Sequence, residues 1–344
     1  MSITAILTAL ASAALFGLAT PMAKLLIGGV DPTMLAAIFY LASGIGLGLF
    51  RLVTTRRERS LTRADVPWLA GAILSGGVAG PILMMFGLKR AEAGTASLLL
   101  MLEGAATALI AWFYFKENFD RRIAIGFGCI VLGALLLAWR GGAGDGSIIG
   151  MLAIVGACIA WGIDNNLTRK IANADPVEIA MFKGLCGGPV MLAAAAVVGA
   201  GIPDPGTTAL AALVGLLGIG VSLSMFCRAL RDLGAARTGA YFSTAPFLGA
   251  AGAIVLLGEP VTARFVVAGL LMAFGVYLHL TERHAHEHDH ASMTHEHLHT
   301  HDMHHQHAHA PGDPKDEPHS HRHTHLRLRH SHRHAPDMHH MHEH

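Results

Sequence analysis

Apolar residues fill the chain from Ile3 to Leu280 in ten long stretches, and polar residues take over beyond Glu282. The stretches run over about 3–27, 33–53, 67–88, 92–115, 122–139, 148–168, 177–200, 209–230, 235–257 and 264–281. Each approaches the roughly 20 apolar residues a helix needs to cross the hydrocarbon core. Lipid offers no water to unpaired backbone groups, so helices that satisfy their own N–H and C=O groups are the expected element. The pattern therefore predicts an all-α polytopic membrane protein with ten transmembrane helices. Connections are short, as in Pro203-Asp-Pro-Gly206.

The stretches repeat. A shift of 142 places Leu88-Lys89-Arg90 on Leu230-Arg231-Asp232, Glu117 on Glu259 and Gly133 on Gly275. A shift near 145 places Phe16-Gly17-Leu18 on Trp161-Gly162-Ile163. Five spans per half make the second half enter the membrane inverted, an arrangement that forms a site near the midplane between two halves able to rock. The predicted units are residues 1–140, 147–281 and a tail, 282–344. Because the first stretch has an internal copy around Trp161, it belongs to the fold and is not read as a cleaved signal peptide. Basic residues set the orientation: 13 Lys and Arg fall on one side, including Arg51, Arg57, Arg169 and Arg228, and 5 on the other. The positive-inside rule then puts both termini in the cytoplasm.

Composition agrees. Hydrophobic residues make up 52% and charged residues 14%, where soluble domains carry about 25% charged. The membrane part holds 19 basic and 14 acidic residues and the tail 6 and 10, a balance that does not suggest nucleic acid as a partner. Cys129, Cys158, Cys186 and Cys227 lie scattered in apolar stretches and read as small packing residues. No Walker loop or nucleophile triad is present, so neither ATP-driven pumping nor an enzyme is expected.

The run Gly234-Ala-Ala-Arg-Thr-Gly-Ala-Tyr-Phe-Ser-Thr-Ala-Pro-Phe247, followed by Leu257-Gly258-Glu259-Pro260, resembles the drug/metabolite transporter superfamily, EamA branch. Its first-half echo runs from Arg90-Ala-Glu-Ala-Gly-Thr-Ala-Ser97 to Lys116-Glu117-Asn118, and Trp161-Gly162 is similar to the family as well. The resemblance covers residues 1–281. It implies two five-helix EamA repeats, alternating access, and movement of small metabolites such as amino acids, often outward. One departure stands out. Where the second half has Pro246 midway along its fourth helix, the first half has Gly104, beside Glu103. The first half is expected to bend less there, or to use Glu103 for another purpose.

Glu103 sits mid-span, where a carboxylate costs about 2.5–3.5 kcal/mol even on insertion scales, so it should face a cavity or a partner. Substrate amine, metal, proton coupling and a purely structural carboxyl all remain open for it. Asp164, Asn165 and Asn166 follow Trp161-Gly162 and match Ala19-Thr20-Pro21; they line the path or are hydrated near the cytoplasmic end. Lys183 pairs with Asp164 or Glu103, or snorkels. Thr20, Trp161, Tyr241 and Ser243 complete the substrate-binding or coupling candidates, Met101 matching Ser243. Glu117 and Glu259 are read as turn-fixing residues or as partners of Arg121 or Arg264.

The tail holds 23 of 24 histidines. Its polarity and lack of a packing pattern predict disorder. His284, His286, His288, His290, His295, His297, His299, His304, His305, His339, His340, His342 and His344 are the candidate metal ligands, since neutral imidazole suits Zn, Ni, Co and Cu. Transport itself requires no cofactor on this reading. The expected protein is a secondary transporter exporting small polar metabolites across a bacterial inner membrane, its partners being a small-molecule substrate, the lipid bilayer and divalent metals at the tail. The alternatives are efflux of divalent Ni, Co or Zn, and a membrane-anchored metal sensor or store.

Overall fold

A computed structural model describes residues 3–54, 59–115, 121–138, 145–171, 174–233, 238, 241–280, 284–290, 293–299, 319–325 and 328–334. Residues up to Glu282 form one compact unit and Arg283–His344 a second. Among the described residues, the regular elements of the first unit are all helices. Helix α1 spans Ile3–Ile27 and α2 Pro32–Val53. A single 3₁₀ turn at Arg63–Asp65 leads into α3 (Val66–Ala72), a π-helical segment (Ile73–Ala79) and α4 (Gly80–Arg90). Then come α5 (Ala93–Leu99), α6 (Leu102–Phe115) and α7 (Arg121–Ala138). The second half repeats this order. It has α8 (Asp145–Arg169), α9 (Pro176–Val197), α10 (Pro205–Gly215), a π-helical segment (Leu216–Val221) and α11 (Ser222–Leu233). It closes with α12 (Ala245–Leu257) and α13 (Ala263–Leu280).

Among the described residues, seven helices are long and apolar enough to cross a membrane, and three shorter apolar helices cover 124–138, 245–257 and 263–278. Together they overlap the ten apolar stretches of the sequence. Local chemistry fixes the starts. Asp31, Asp175 and Asp204 each cap a helix whose first residue is proline, and each side chain accepts backbone N–H bonds from the first turn. At Asp204 the hydroxyl and N–H of Thr207 and the N–H of Gly206 hold the carboxyl below its usual range.

Packing reveals the relation between halves. Helix α2 packs on its own repeat mate α9, and α7 on its mate α13; α1 packs on α11 and α12 as α8 does on α4 and α6. The contacts themselves come in matched pairs. A Cβ at Gly44 would lie 2.6 Å from the Leu185 nitrogen, and one at Gly188, the mate of Gly44, 2.6 Å from Leu41 Cγ. A Cβ at Gly133 would meet Ala268 O at 3.1 Å, and one at Gly275 would meet Gly126 O at 2.6 Å. In both crossings, later residues of one helix meet earlier residues of the other. The mates therefore run antiparallel, as an inverted repeat requires. Lipid gives no hydrophobic drive for helices to associate, so this backbone proximity, with its dispersion contacts, is what joins the halves.

The structure departs from the sequence reading at the fourth span. Span four is interrupted at Leu100-Met101, within one residue of the place matching the Ser243-Thr244 interruption before α12, although the first half lacks the proline. Tight bonds close the gap: Met101 N donates to Leu98 O at 3.1 Å and Glu103 N to Leu100 O at 3.0 Å. The matching bond, Thr244 N to Tyr241 O, is 3.2 Å long. Proline is thus not what bends the fourth span.

In the second unit, where composition predicts no regular structure, the backbone forms two antiparallel ladders. His284–His290 pairs with Leu328–His334, and Met293–His299 with His319–His325. Alternation with period two is the strand pattern, and the His-x-His runs have it. His304, His305, His339, His340, His342 and His344 lie outside the described residues, as does Glu117.

The crossing contacts predict a stability difference. Gly44→Ala should lower stability by about 1–3 kcal/mol, because the obstructing atoms are backbone and cannot swing aside. Gly128→Ala, with open space at its Cβ, should leave stability unchanged or slightly raised. Thermal unfolding in detergent checks both.

Candidate functional site

The first half's π-helical segment opens a place for polar groups. Such segments are rare and cluster at functional sites, since they shift the backbone bonding by one residue. Here Gly76 O accepts two side-chain bonds, from Tyr40 Oη and Trp161 Nε1, each at 3.1 Å. A Cβ at Gly76 would overlap the Asp164 carboxylate, and one at Gly80 would come within 2.6 Å of Trp161 Nε1. Glycine at both positions lets α8 lie directly against this backbone, bringing Trp161 and Asp164 inward.

Asp164 is 6% exposed and fully engaged. Lys183 Nζ, from α9, lies 2.7 Å from its Oδ1 and 2.9 Å from its Oδ2, and Thr168 Oγ1 donates to Oδ1 at 2.9 Å. Lys183 also donates to Thr168 Oγ1 at 3.0 Å. The pairing foreseen as one of three roles for Lys183 is the one present. Charge cancels within this pair, and the hydroxyl takes up further hydrogen-bonding capacity, the condition under which buried ions are tolerated.

Glu103 stands beside this pair, in the first turn of α6 just past the interruption. A carboxylate there meets the positive end of the helix dipole. Asn165 Nδ2 donates to Glu103 Oε1 at 3.0 Å and to Thr107 Oγ1 at 3.1 Å. Asn166 Nδ2 donates to Thr107 O at 2.9 Å and Gly162 O at 2.8 Å, tying α8 to α6. Asn165 and Gly104 are exposed, and a Cβ at Gly104 would touch nothing. Glu103 is thus half-buried between exposed neighbours. Among the described residues its Oε2 accepts no hydrogen bond, so when ionised it leaves one negative charge uncompensated.

Glu103, Trp161, Asp164, Asn165, Asn166 and Lys183 thus form one polar cluster drawn from both repeats. Thr20, Tyr241 and Ser243 belong to the matching place in the other half, around α1 and the residues before α12. Thr20 is buried beside Pro21, whose missing N–H leaves Gly17 O without its helical donor. Tyr241 packs against Ala5, Ala9 and Ala229. Here the lining is aromatic: Phe242 has its ring 5.4 Å from Phe16 and 4.8 Å from Phe226. Sequence reasoning missed Tyr40, Gly76, Thr107 and Thr168. The two threonines stood in view, each four residues beyond a singled-out acid and so on the same helix face; Tyr40 and Gly76 had no such signal.

Removing one partner of the buried pair is the sharpest probe of this arrangement. Lys183→Met should destabilise the protein by about 3–5 kcal/mol, because it strands the Asp164 charge. Adding Asp164→Asn should recover most of the loss. A double-mutant cycle on thermal unfolding in detergent measures the coupling.

Residues 3–139 and 148–281 each match the model of the EamA-like transporter family. A protein of Methanothermobacter thermautotrophicus named an uncharacterized transporter is 26% identical over 281 residues, covering 76% of this chain and 82% of its own. An uncharacterized protein of Pseudomonas aeruginosa is 28% identical over 234 residues, covering 66% of this chain and 77% of its own. A solved crystal structure shares the fold with a TM-score of 0.58 at 19% identity, covering 81% of this chain and 96% of that one. Two matches in tandem over the whole helical unit, on a bundle of antiparallel mates, place the chain in the EamA-like transporter family.

Proposed function

We propose that the chain exports small polar metabolites carrying an amine, amino acids among them, by alternating access between its two repeats. The observation behind this reading is Glu103. It is a carboxylate at a helix interruption between the halves, held by Asn165 and next to an already neutralised Asp164–Lys183 pair. Interrupted helices flanking a polar cluster are the usual form of a carrier site. The leftover negative charge calls for a cation, either the ammonium of a solute or a coupling proton. Asn165 supplies a neutral donor for a solute's second polar group, and the exposed Gly104 gives room. Membership of a transporter family and the absence of a nucleophile motif support carriage without covalent chemistry. The excess of basic residues on one side supports both termini in the cytoplasm of a bacterial inner membrane.

A second reading concerns the tail. The ladder register sets His284 opposite His334, His286 opposite His332 and His288 opposite His330. It also sets His295 opposite His323, His297 opposite His321 and His299 opposite His319. Each opposed pair puts two histidines at one register position, and neutral imidazole suits Zn, Ni, Co and Cu. This supports Zn, Ni, Co or Cu binding by the tail, as a regulator of transport or as collector for metal efflux. Among the described residues, no group of three His, Cys, Asp or Glu is placed to hold a metal. A metal cargo would have to use Glu103 and Asp164 with fewer ligands than such ions favour.

Uptake into proteoliposomes of amino acids, nucleosides and divalent cations, with and without a proton gradient, tests the main reading. Glu103→Gln should abolish transport of the amine solute while the protein stays folded; full activity would remove Glu103 from the site. Deleting residues 282–344 should leave metabolite transport intact and abolish only its response to added Zn or Ni.

A further inference from the structure

The turn joining α4 to α5 is held from both sides by charged groups of other helices. Lys24 Nζ, in the last turn of α1, donates to Leu88 O at 2.5 Å and to Ala91 O at 2.6 Å. Glu259, in the turn between α12 and α13, accepts from Ala93 N at 2.6 Å and from Gly94 N at 2.7 Å. The cation thus caps the carbonyl end of α4 and the anion the amide end of α5, each favoured by the helix dipole it meets. All four are short, charge-assisted bonds. Glu259 comes from the second repeat; Lys24 and the turn come from the first. The described bonds of Glu259 therefore run between repeats, where the sequence suggested a local turn or a pairing with Arg264.

We infer that Lys24 and Glu259 form a latch that shuts this end of the bundle in the conformation described and releases the 88–94 turn when that end opens. Three observations favour a latch over a permanent staple. Its Glu259 arm bridges the two repeats, which must separate at one end if they rock, while Lys24 holds the same turn from within the first repeat. Beneath it the first turns of α5 are closed, Thr95 being 4% and Ser97 1% exposed. Its bonds are polar and lie at a helix end, so water can replace them on opening with little net loss, unlike interdigitated apolar side chains. The sequence repeats both charges at the opposite end: a shift of 142 carries Glu259 onto Glu117, and one of 145 carries Lys24 onto Arg169. A device needed alternately at two ends of an inverted repeat would be encoded in that way.

The inference rests on alternating access, and its test is chosen to be separable from that reading. In the full chain with its four cysteines replaced by alanine, Ser97→Cys reports access to the space below the latch. A membrane-impermeant maleimide is applied in turn to whole cells and to inverted vesicles. Glu259→Gln and Lys24→Met should each speed labelling roughly tenfold from the side bearing the 88–94 turn, and from that side alone. Unchanged labelling in both variants, labelling raised equally from both sides, or loss of folded protein in both assigns the contacts to folding and overturns the latch. Labelling requires no solute, so it decides the latch alone, whereas the uptake panel on the unaltered chain decides the transporter reading.

Discussion

In lipid, a backbone N–H or C=O left without a partner has no water to turn to, and three breaks among the described residues of this bundle are answered, either by a group brought from elsewhere or within the turn itself. The π-helical Gly76 carbonyl is met by Tyr40 and Trp161. The interruption at Leu100-Met101 is closed by short-range bonds within its own turn. The helix ends at Leu88–Gly94 are covered by Lys24 and Glu259. A chain under this constraint cannot place polar side chains freely. They collect where the backbone is broken, and that is where the candidate site lies.

The same constraint explains what the sequence disclosed. Apolar length marks a crossing because an unbroken helix is the default in hydrocarbon, so the positions of the spans were legible throughout. The inverted relation was legible too. Gly133 and Gly275 recur at one spacing because each must admit the backbone of the other's helix. Asp31-Pro32 and Asp175-Pro176 recur because each starts the equivalent helix. Intramembrane charge identified Glu103, Asp164 and Lys183 for a related reason: only a functional or paired role offsets their desolvation.

Other features depend on contacts distant in sequence. Tyr40 and Gly76 meet only because the fold brings Tyr40 of α2 within reach of the π-helical segment, which itself packs on α8 and α9, and no local pattern states that packing. The interruption of span four without a proline was likewise hidden. It reflects bonding to residues three back instead of four, which Leu100 and Met101 do not advertise. The strand pairing in the tail hung on choosing between composition, which argues for an unfolded chain, and the period-two spacing of histidine, which fits a ladder.

The two halves share geometry but not chemistry. Glu103 has Ala245 as its mate, Asp164 has Ala19, and Lys183 has Phe39, so one locus is charged and its twin is apolar and aromatic. Were the halves identical, turning the bundle over would return the same molecule, and its two rocked orientations would be isoenergetic. Unequal loci lift that degeneracy. On the proposed alternating-access reading, the empty carrier would rest unevenly between its orientations, a bias to which these three differences in charge contribute.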